Sequence, residues 1–454
     1  MIASNGHGLS TDDTIVGVAS PAGRGAVAVI RLSGRKAFEI ARKHLAFWPS
    51  QPRSVQLTDF SDGERRLDQV LVTTFPAPNS YTGEDVVEIS THGGLVVPGS
   101  VVAALTESGA RQATAGEFTR RAVLNGKLDI LQAEAIGDLI DASSRVMQAT
   151  ALSQLDGGLS RRLSALRDEL LELEALIAYD VDFPEEDDGP IPRARIEAAI
   201  KQLLSSLDAL LATAPAGELV REGAVVVIAG PPNAGKSSLF NALLGKSRAI
   251  VTEIPGTTRD ALEAVIDGRK WPLRLVDTAG LRETVDRIER LGIEVSERYL
   301  ADAEVVLACA ETAEGLDQTI RLVRSRTTAP IQAVHTKADL VTIRDEAGDA
   351  IPVSAETGEG LQRLLARVEA IVDQHCGPRS PDLPVLTSAR HKRALDAARS
   401  EVTQFYSAWV ERKLPGTVAA VHLRAAITTL EELVGAIDVD DVLDRVFSSF
   451  CVGK

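Results

Sequence analysis

Gly230, Gly235, Lys236 and Ser237 fall in "GPPNAGKS", a G-x-x-x-x-G-K-S pattern. Residues of these types at this spacing wrap phosphate. Glycines let the backbone turn so that its N–H groups point inward at a helix N-terminus. The lysine sets a point charge on the β- and γ-phosphates, and the serine hydroxyl ligates Mg2+. The expected cradle is the run Asn233, Ala234, Gly235, Lys236, Ser237 and Ser238. Its context agrees. "VVVIA" before the loop has the β-branched content of a buried parallel strand, and "SLFNALLG" after it is rich in helix formers.

Other polar residues follow at workable distances. "LRLVDTAG" reads as a strand ending on Asp277, placed to hold the metal through water, with Thr278, Ala279 and Gly280 beside the γ-phosphate. Between the two lies a loop over Thr252, Glu253, Ile254, Pro255, Gly256 and Thr257, where Thr258 reaches the magnesium. "IQAVHTKADL" is a third strand-like run, ending in Thr336, Lys337, Ala338 and Asp339. The Asp339 carboxylate would accept two hydrogen bonds from guanine, a pair that adenine cannot supply. "IPVSA" adds Ser354 and Ala355 as a backbone contact to the base. These five ordered segments resemble the translation-factor type of GTPase and imply GTP rather than ATP.

Two positions depart from that type. The guanine motif usually opens with Asn, and here it opens with Thr336, so one amide contact is lost. Many GTPases place Gln after "DTAG" to orient the attacking water; here Leu281 stands there and can neither donate nor accept. The polar group for hydrolysis must come from elsewhere. Glu283, Asp286 and Glu289 are nearby, and on residue type alone all three read as a solvated helix face.

These residues need elements to hold them, and 454 residues are too many for one core, so two to four domains are expected. The net charge of -15 argues against one dominant basic face for nucleic acid. No apolar run approaches the ~18 residues of a membrane span, and "MIASNGHGLSTDD" carries no secretory pattern. Cys309, Cys376 and Cys451 are scattered and give neither a disulfide framework nor a zinc spacing, which suits a reducing cytoplasm. Up to about residue 125, "TIVGVASPAGRGAVAVIRLSG" and "DQVLVTTFPAPNSYTGEDVVEISTHGG" read as strands broken by Gly/Pro turns, a small α+β domain. Leu131 to Ala178 and residues 193–214 have helical spacing, separated by "DFPEEDDGPIP". Two amphipathic helices follow the nucleotide segment. The simplest architecture is a helical domain interrupted by the GTPase.

The chain as a whole resembles one family, the MnmE (TrmE) tRNA-modification GTPases. The resemblance covers nearly all of the sequence. It rests on "AGRGAVAVIRLSG", "YTGEDVVE", "THGG", "GEFTRRAVLNGKLDILQAEAI", "GPPNAGKSSLFN", "PGTTRD", "DTAGLRET" and the terminal "FCVGK". It implies a multidomain α/β and α fold. Residues 1–125 would form an N-terminal α+β folate-binding and dimerisation domain, and 126–219 and 377–454 a discontinuous helical domain. A Ras-like G domain at 220–376 would be inserted between them. The resemblance further implies a cytoplasmic homodimer and an FAD-dependent partner, MnmG (GidA), in a heterotetramer. The implied reaction adds an aminomethyl or carboxymethylaminomethyl group to C5 of the wobble uridine of certain tRNAs. Its one-carbon unit would come from 5,10-methylene- or 5-formyl-tetrahydrofolate.

The resemblance also assigns roles. Two G domains meet across a potassium ion, whose charge stands where other systems insert an arginine. Its ligands match Asn233, Thr252, Ile254 and Thr257, and the water-orienting glutamate matches Glu289. Folate contacts match Arg24, Glu84, Lys127 and Lys454. A carboxylate suits the amide-like edge of a pteridine, and Arg or Lys suits the glutamate tail. Cys451 stands where a prenylated cysteine would, but Gly453 and Lys454 make that signal poor. The family places this tail at the folate site, and nucleophile, acid and structural plug are the roles open to the thiol. The rival reading is a ribosome-assembly switch with no modification chemistry. It would carry an RNA-binding appendage after residue 376, where only the cluster Arg390, His391, Lys392 and Arg393 offers a tRNA or partner contact or a solvated face.

Overall fold

The computed structural model describes residues 13–182, 192–246, 262–268, 270–277, 299–340, 349–376, 384–410, 416–435 and 453. The chain divides into two compact units, one of Met1–Gly137 with Glu431–Lys454 and one of Asp138–Leu430.

In the first unit the chain runs β1 (Ile15–Val18), β2 (Val27–Ser33), α1 (Ala37–Arg42), β3 (Gln56–Ser61), β4 (Arg66–Phe75), β5 (Val86–His92), α2 (Val97–Glu107), β6 (Arg111–Gln112), α3 (Glu117–Leu124) and α4 (Ile130–Asp141). The strands form one sheet in the order β3-β4-β5-β2-β1-β6. Only the β1–β6 pair is parallel. Period-two alternation decides what each face does. Val16, Ile30, Leu32, Val70, Val72, Val87 and Ile89 point to one side and pack with Ile40 of α1 and with Val101 and Leu105 of α2. On the other side Ile15 packs with Ala113 and with Phe118 of α3, so β1 is covered on both faces. Toward β3 that second face is bare: Leu57 and Leu71 are cross-strand partners and are 53% and 45% exposed.

The second unit opens with helices α5 (Arg145–Leu155), α6 (Gly158–Asp182), α7 (Arg193–Leu211) and α8 (Ala214–Glu222). Then come β7 (Ala224–Ala229), α9 (Lys236–Lys246), β8 (Leu262–Asp267), β9 (Pro272–Asp277), β10 (Val305–Ala310), α10 (Ala313–Arg324), β11 (Ile331–His335), β12 (Ile351–Pro352) and α11 (Leu361–Cys376). Helices α12 (Ala389–Val410) and α13 (Gly416–Val434) close the described chain. The sheet has the order β12-β11-β10-β7-β9-β8 and is parallel except for the β8–β9 hairpin. Helices cover both faces, which is why "AVVVIA" is apolar without alternation. Val226 and Ile228 face Leu239 and Phe240 of α9 and Leu364 of α11, whereas Val225 and Val227 face Val306 and Val323.

The helices before and after this sheet are joined. Ile196, Ile200, Leu203, Leu207 and Leu210 form one buried stripe along α7, and α7 packs on α6 and α12. Gln154 Nε2 donates to the Val385 carbonyl at 3.0 Å. A Cβ on Gly217 would stand 1.9 Å from the Leu386 carbonyl oxygen, so α8 meets that segment through a residue with no side chain. Among the described residues, only Arg193–Glu222 is long and apolar enough to cross a membrane by composition, and half of its most apolar window is buried inside the unit.

Candidate active site

The phosphate loop links the end of β7 to the start of α9. Gly230 passes so close to β10 that a Cβ there would lie 2.3 Å from the Cys309 carbonyl oxygen. Asn233 and Gly235 take left-handed backbone angles, φ 62° and 74°. Successive turns of this kind aim N–H groups into one concavity. Lys236 is buried, and its Nζ donates to the Pro231 carbonyl at 2.8 Å, across the mouth of the loop. Ser237 Oγ donates to Asp277 Oδ2 at 2.7 Å, and Asp277 is fully buried at the end of β9. A hydroxyl beside a carboxylate is a hard-oxygen pair, and it fits Mg2+. Behind the loop, burial pushes the Cys309 thiol up to about 12, so it is inert rather than nucleophilic.

The expected base-contact residues lie past the carboxyl ends of β11 and β12, on the side where open α/β sheets bind ligands. Thr336 N donates to the Ala310 carbonyl at the end of β10 at 3.0 Å, and Ala338 N donates to the Val353 carbonyl at 3.2 Å, which ties the two expected base-contact loops together. Lys337 is left-handed at φ 55°, and its Nζ pairs with Glu311 at 2.5 Å. Ser354 is buried, with Oγ accepting from Thr357 N at 3.1 Å, while Asp339 is exposed. Thr336 Oγ1 is buried and has no hydrogen-bond partner among the described residues. It lies 3.9 Å from where a Cβ on Gly235 would be, so a longer side chain reaches the loop that Thr336 does not. Thr336→Asn is therefore expected to tighten GDP binding about three- to ten-fold, the worth of one further hydrogen bond. Titration with a fluorescent GDP analogue checks this, and equal or weaker binding would refute it.

The expected residues Thr252, Glu253, Ile254, Pro255, Gly256, Thr257, Thr258, Thr278, Ala279, Gly280 and Glu289, with Leu281, lie outside the described residues, as do Cys451 and Lys454.

In the first unit Glu84 and Lys127 come together. Asn125 Nδ2 donates to the Thr82 carbonyl at 2.7 Å, and the Lys127 stem lies against Gly83. Lys127 Nζ donates to the Pro78 carbonyl at 3.1 Å. A pocket of about 410 Å³ opens beside it, lined by Gly126, Lys127, Asp129, Gln132 and Gly435 among others. Glu84 Oε2 accepts from Ser33 Oγ at 2.7 Å, and Arg121 Nη1 reaches both carboxylate oxygens at 3.2 and 3.3 Å. A carboxylate offers about four lone-pair sites, and the described residues fill three of those on Glu84. Arg24 is exposed and sits elsewhere. Gly25 N bonds to the Gly93 carbonyl at 2.8 Å, beyond the end where Val27 pairs with His92. Glu84 precedes the other end, where Ser33 pairs with Val86. Seven strand residues separate those ends by roughly 20 Å.

A family model described as the GTP-binding protein TrmE N-terminus matches residues 14–127, and one described as the MnmE helical domain matches residues 130–451. The chain is a GTPase of the MnmE family. A relative named tRNA modification GTPase MnmE from Akkermansia muciniphila is 43% identical over 97% of this chain and 99% of its own length. One of the same name from Syntrophus aciditrophicus is 40% identical over 97% of this chain and 99% of its own. Among solved structures, the G domain of the T. maritima FeoB iron transporter is 25% identical and covers 33% of this chain and 98% of that one. Its TM-score is 0.27, too low to compare architecture.

One feature of this MnmE-family chain escapes reading by residue type. Arg111 and Arg121 hold Asp13, Glu84 and Glu117 in a single network, in which Arg121 and Glu117 are buried and the other three half-buried. Arg121 is 3% exposed and lies under the "YTGED" loop. Each of the five would be taken for a surface charge. The available signal was the four-residue spacing of Glu117 and Arg121 on one helix face.

Proposed function

We propose that this MnmE-family GTPase acts in tRNA modification. With the FAD-dependent partner MnmG, it would add an aminomethyl or carboxymethylaminomethyl group to C5 of wobble uridine 34 in certain tRNAs. A tetrahydrofolate derivative, 5,10-methylene- or 5-formyl-, would supply the one-carbon unit. The observation that carries the reading is the near full-length match to relatives named tRNA modification GTPase. The nucleotide geometry is consistent with it, because Lys236, Ser237 and Asp277 converge where phosphate and magnesium chemistry needs them. The site of action would be the cytoplasm. The domain plan would be 1–125, 126–219 with 377–454, and 220–376.

Each finer element has its own support. Homodimerisation through the N-terminal unit is supported by the bare apolar pair Leu57 and Leu71 and by exposed Val55. Mg2+ would sit on Ser237 and Thr258, near Asp277, and neutralise phosphate charge. K+ would be held by Asn233, which is exposed in a left-handed turn, with Thr252, Ile254 and Thr257. Glu289 would orient the water and Cys451 would act beside the folate. Folate would be held by Glu84, Lys127 and Lys454, with the Glu84 carboxylate suited to a pteridine N–H; Arg24, at the opposite end of β2, would meet only the glutamate tail.

The deciding experiment is mass spectrometry of wobble-uridine nucleosides in tRNA from cells lacking this gene. Loss of the C5 modification is expected. Unchanged modification would leave the ribosome-assembly reading standing. The potassium assignment has a separate test. GTP turnover is expected to be at least about ten-fold faster in KCl than in NaCl, because a smaller ion fits the oxygen cage poorly and the charge it supplies is a transition-state term. Equal phosphate release in the two salts would remove Asn233 from that role.

A further inference from the structure

We propose that Gly17 is a positioning residue, a side-chain-free seat in β1 that fixes the C-terminal end of the chain against the N-terminal sheet. Glycine inside a strand weakens it, and often marks a place where another backbone approaches closely. Here the approaching backbone is present. Gly453 is buried with φ 103°, and its Cα lies 3.4 Å from where a Cβ on Gly17 would stand. The reverse contact is tighter. A Cβ on Gly453 would stand 2.2 Å from the Val18 carbonyl oxygen and 2.9 Å from Ala19 Cα. The first obstacle is a strand carbonyl, which cannot swing aside as a side chain would. Two glycines from opposite ends of the chain thus meet: a side chain on Gly453 would strike the β1 backbone, and one on Gly17 would fill the space between Phe118 and Gly453.

The surroundings give the seat its use. Gly17 pairs across the ladder with Arg31. The Arg31 guanidinium lies 4.9 Å from the Tyr81 ring centroid and 5.7 Å from that of Phe118. Its Nε and Nη2 both bond to Glu88 Oε1, at 3.0 and 2.8 Å. Gly453 therefore rests beside a polar, aromatic-floored patch rather than on plain core. A seated Gly453 fixes one point of the chain beside that patch, so less ordering cost remains for binding there. The consequence for modification chemistry rests on the function proposed above; the seating itself does not.

The test uses the full-length chain, Gly17→Ala, Gly453→Ala, and a chain lacking the last two residues. Digestion by a broad-specificity carboxypeptidase, followed by intact mass, reads the seat directly. Both alanine variants are expected to lose their terminal residues at least about ten-fold faster than wild type, because release from a docked state governs cleavage. Their GTP turnover is expected to be unchanged. Wobble-uridine modification is expected to fall to the level of the shortened chain. Gly17→Ala made in the shortened chain should lower it no further, since the two changes remove one interaction.

Wild-type digestion rates in Gly453→Ala, or an additional loss from Gly17→Ala in the shortened chain, would overturn the proposal. If Gly17→Ala misfolds against Phe118, which is 3.3 Å from the new Cβ, Gly453→Ala decides alone. Absence of modification by the wild-type protein would refute the proposed function and leave the digestion result intact.

Discussion

Lys236→Ala is expected to cut kcat for GTP hydrolysis by about 10²- to 10³-fold, the usual loss when a preorganised electrostatic group is removed from a phosphoryl-transfer site. Lys236 is 7% exposed, and its ammonium rests on the Pro231 carbonyl inside the loop it must serve. That hydrogen bond holds the charge across the place that phosphate oxygens take, so nucleotide has to displace it but not recruit it. Arginine is no substitute, because the planar fork is larger than the space an ammonium occupies. Phosphate release at saturating GTP is the measurement, with the thermal midpoint as a control for folding. A loss smaller than ten-fold in a well-folded variant would mean that the transition-state charge is carried elsewhere.

The second large effect is on stability. Arg121→Met is expected to cost about 3–5 kcal/mol, because it removes the buried arginine that Asp13, Glu84 and Glu117 share and leaves Glu84 with no cationic partner among the described residues. Arg121 donates to the Asp13 carbonyl at 2.9 Å and to Glu117 Oε1 at 3.1 Å, and also bonds the Asp13 carboxylate. Chemical denaturation followed by far-ultraviolet circular dichroism measures the change. A cost below about 1 kcal/mol, the range of a surface pair, would show that the network is wetter than its burial indicates.

The same network sets an acid limit. Burial alone would raise the carboxyls of Asp13 and Glu117, but hydrogen bonds and charge from Arg111 and Arg121 outweigh it and hold both below their ordinary values. Depressed carboxyls stabilise the fold above their unfolded pKa, near 4, and that contribution is lost as pH falls through the lower folded values. Acid unfolding of this unit is therefore expected below about pH 4. The Arg121→Met variant should unfold at a higher pH.

The nucleotide end of this molecule was legible because its chemistry is local. A strand, a loop and a helix adjacent in sequence make the cradle, so "VVVIAGPPNAGKSSLF" resolves into β7, the phosphate loop and α9 with only its own residues. Asp277 and Ser354 were equally readable, since each ends or follows a short strand. The Thr336 motif begins one residue past β11. The N-terminal unit resisted for the opposite reason. Asp13, Glu84, Arg111 and the Glu117–Arg121 pair meet only when four separated segments fold together, and the one telling spacing, Glu117 to Arg121 on α3, says nothing of the other three. Glu84 was expected as a folate contact and Arg121 was not singled out, and the structure puts Arg121 on the Glu84 carboxylate. Gly17 read as part of an ordinary strand because its partner, Gly453, lies at the far end of the sequence.

The β8–β9 hairpin places Leu262 on the same rung as Asp277. Ala264 and Ile266 point into the core beside Trp271 and Leu275. Sliding β8 by one residue would turn its whole inward row outward. The register is thus fixed by burial, and it holds the first residue of β8 level with the buried carboxylate that ends β9.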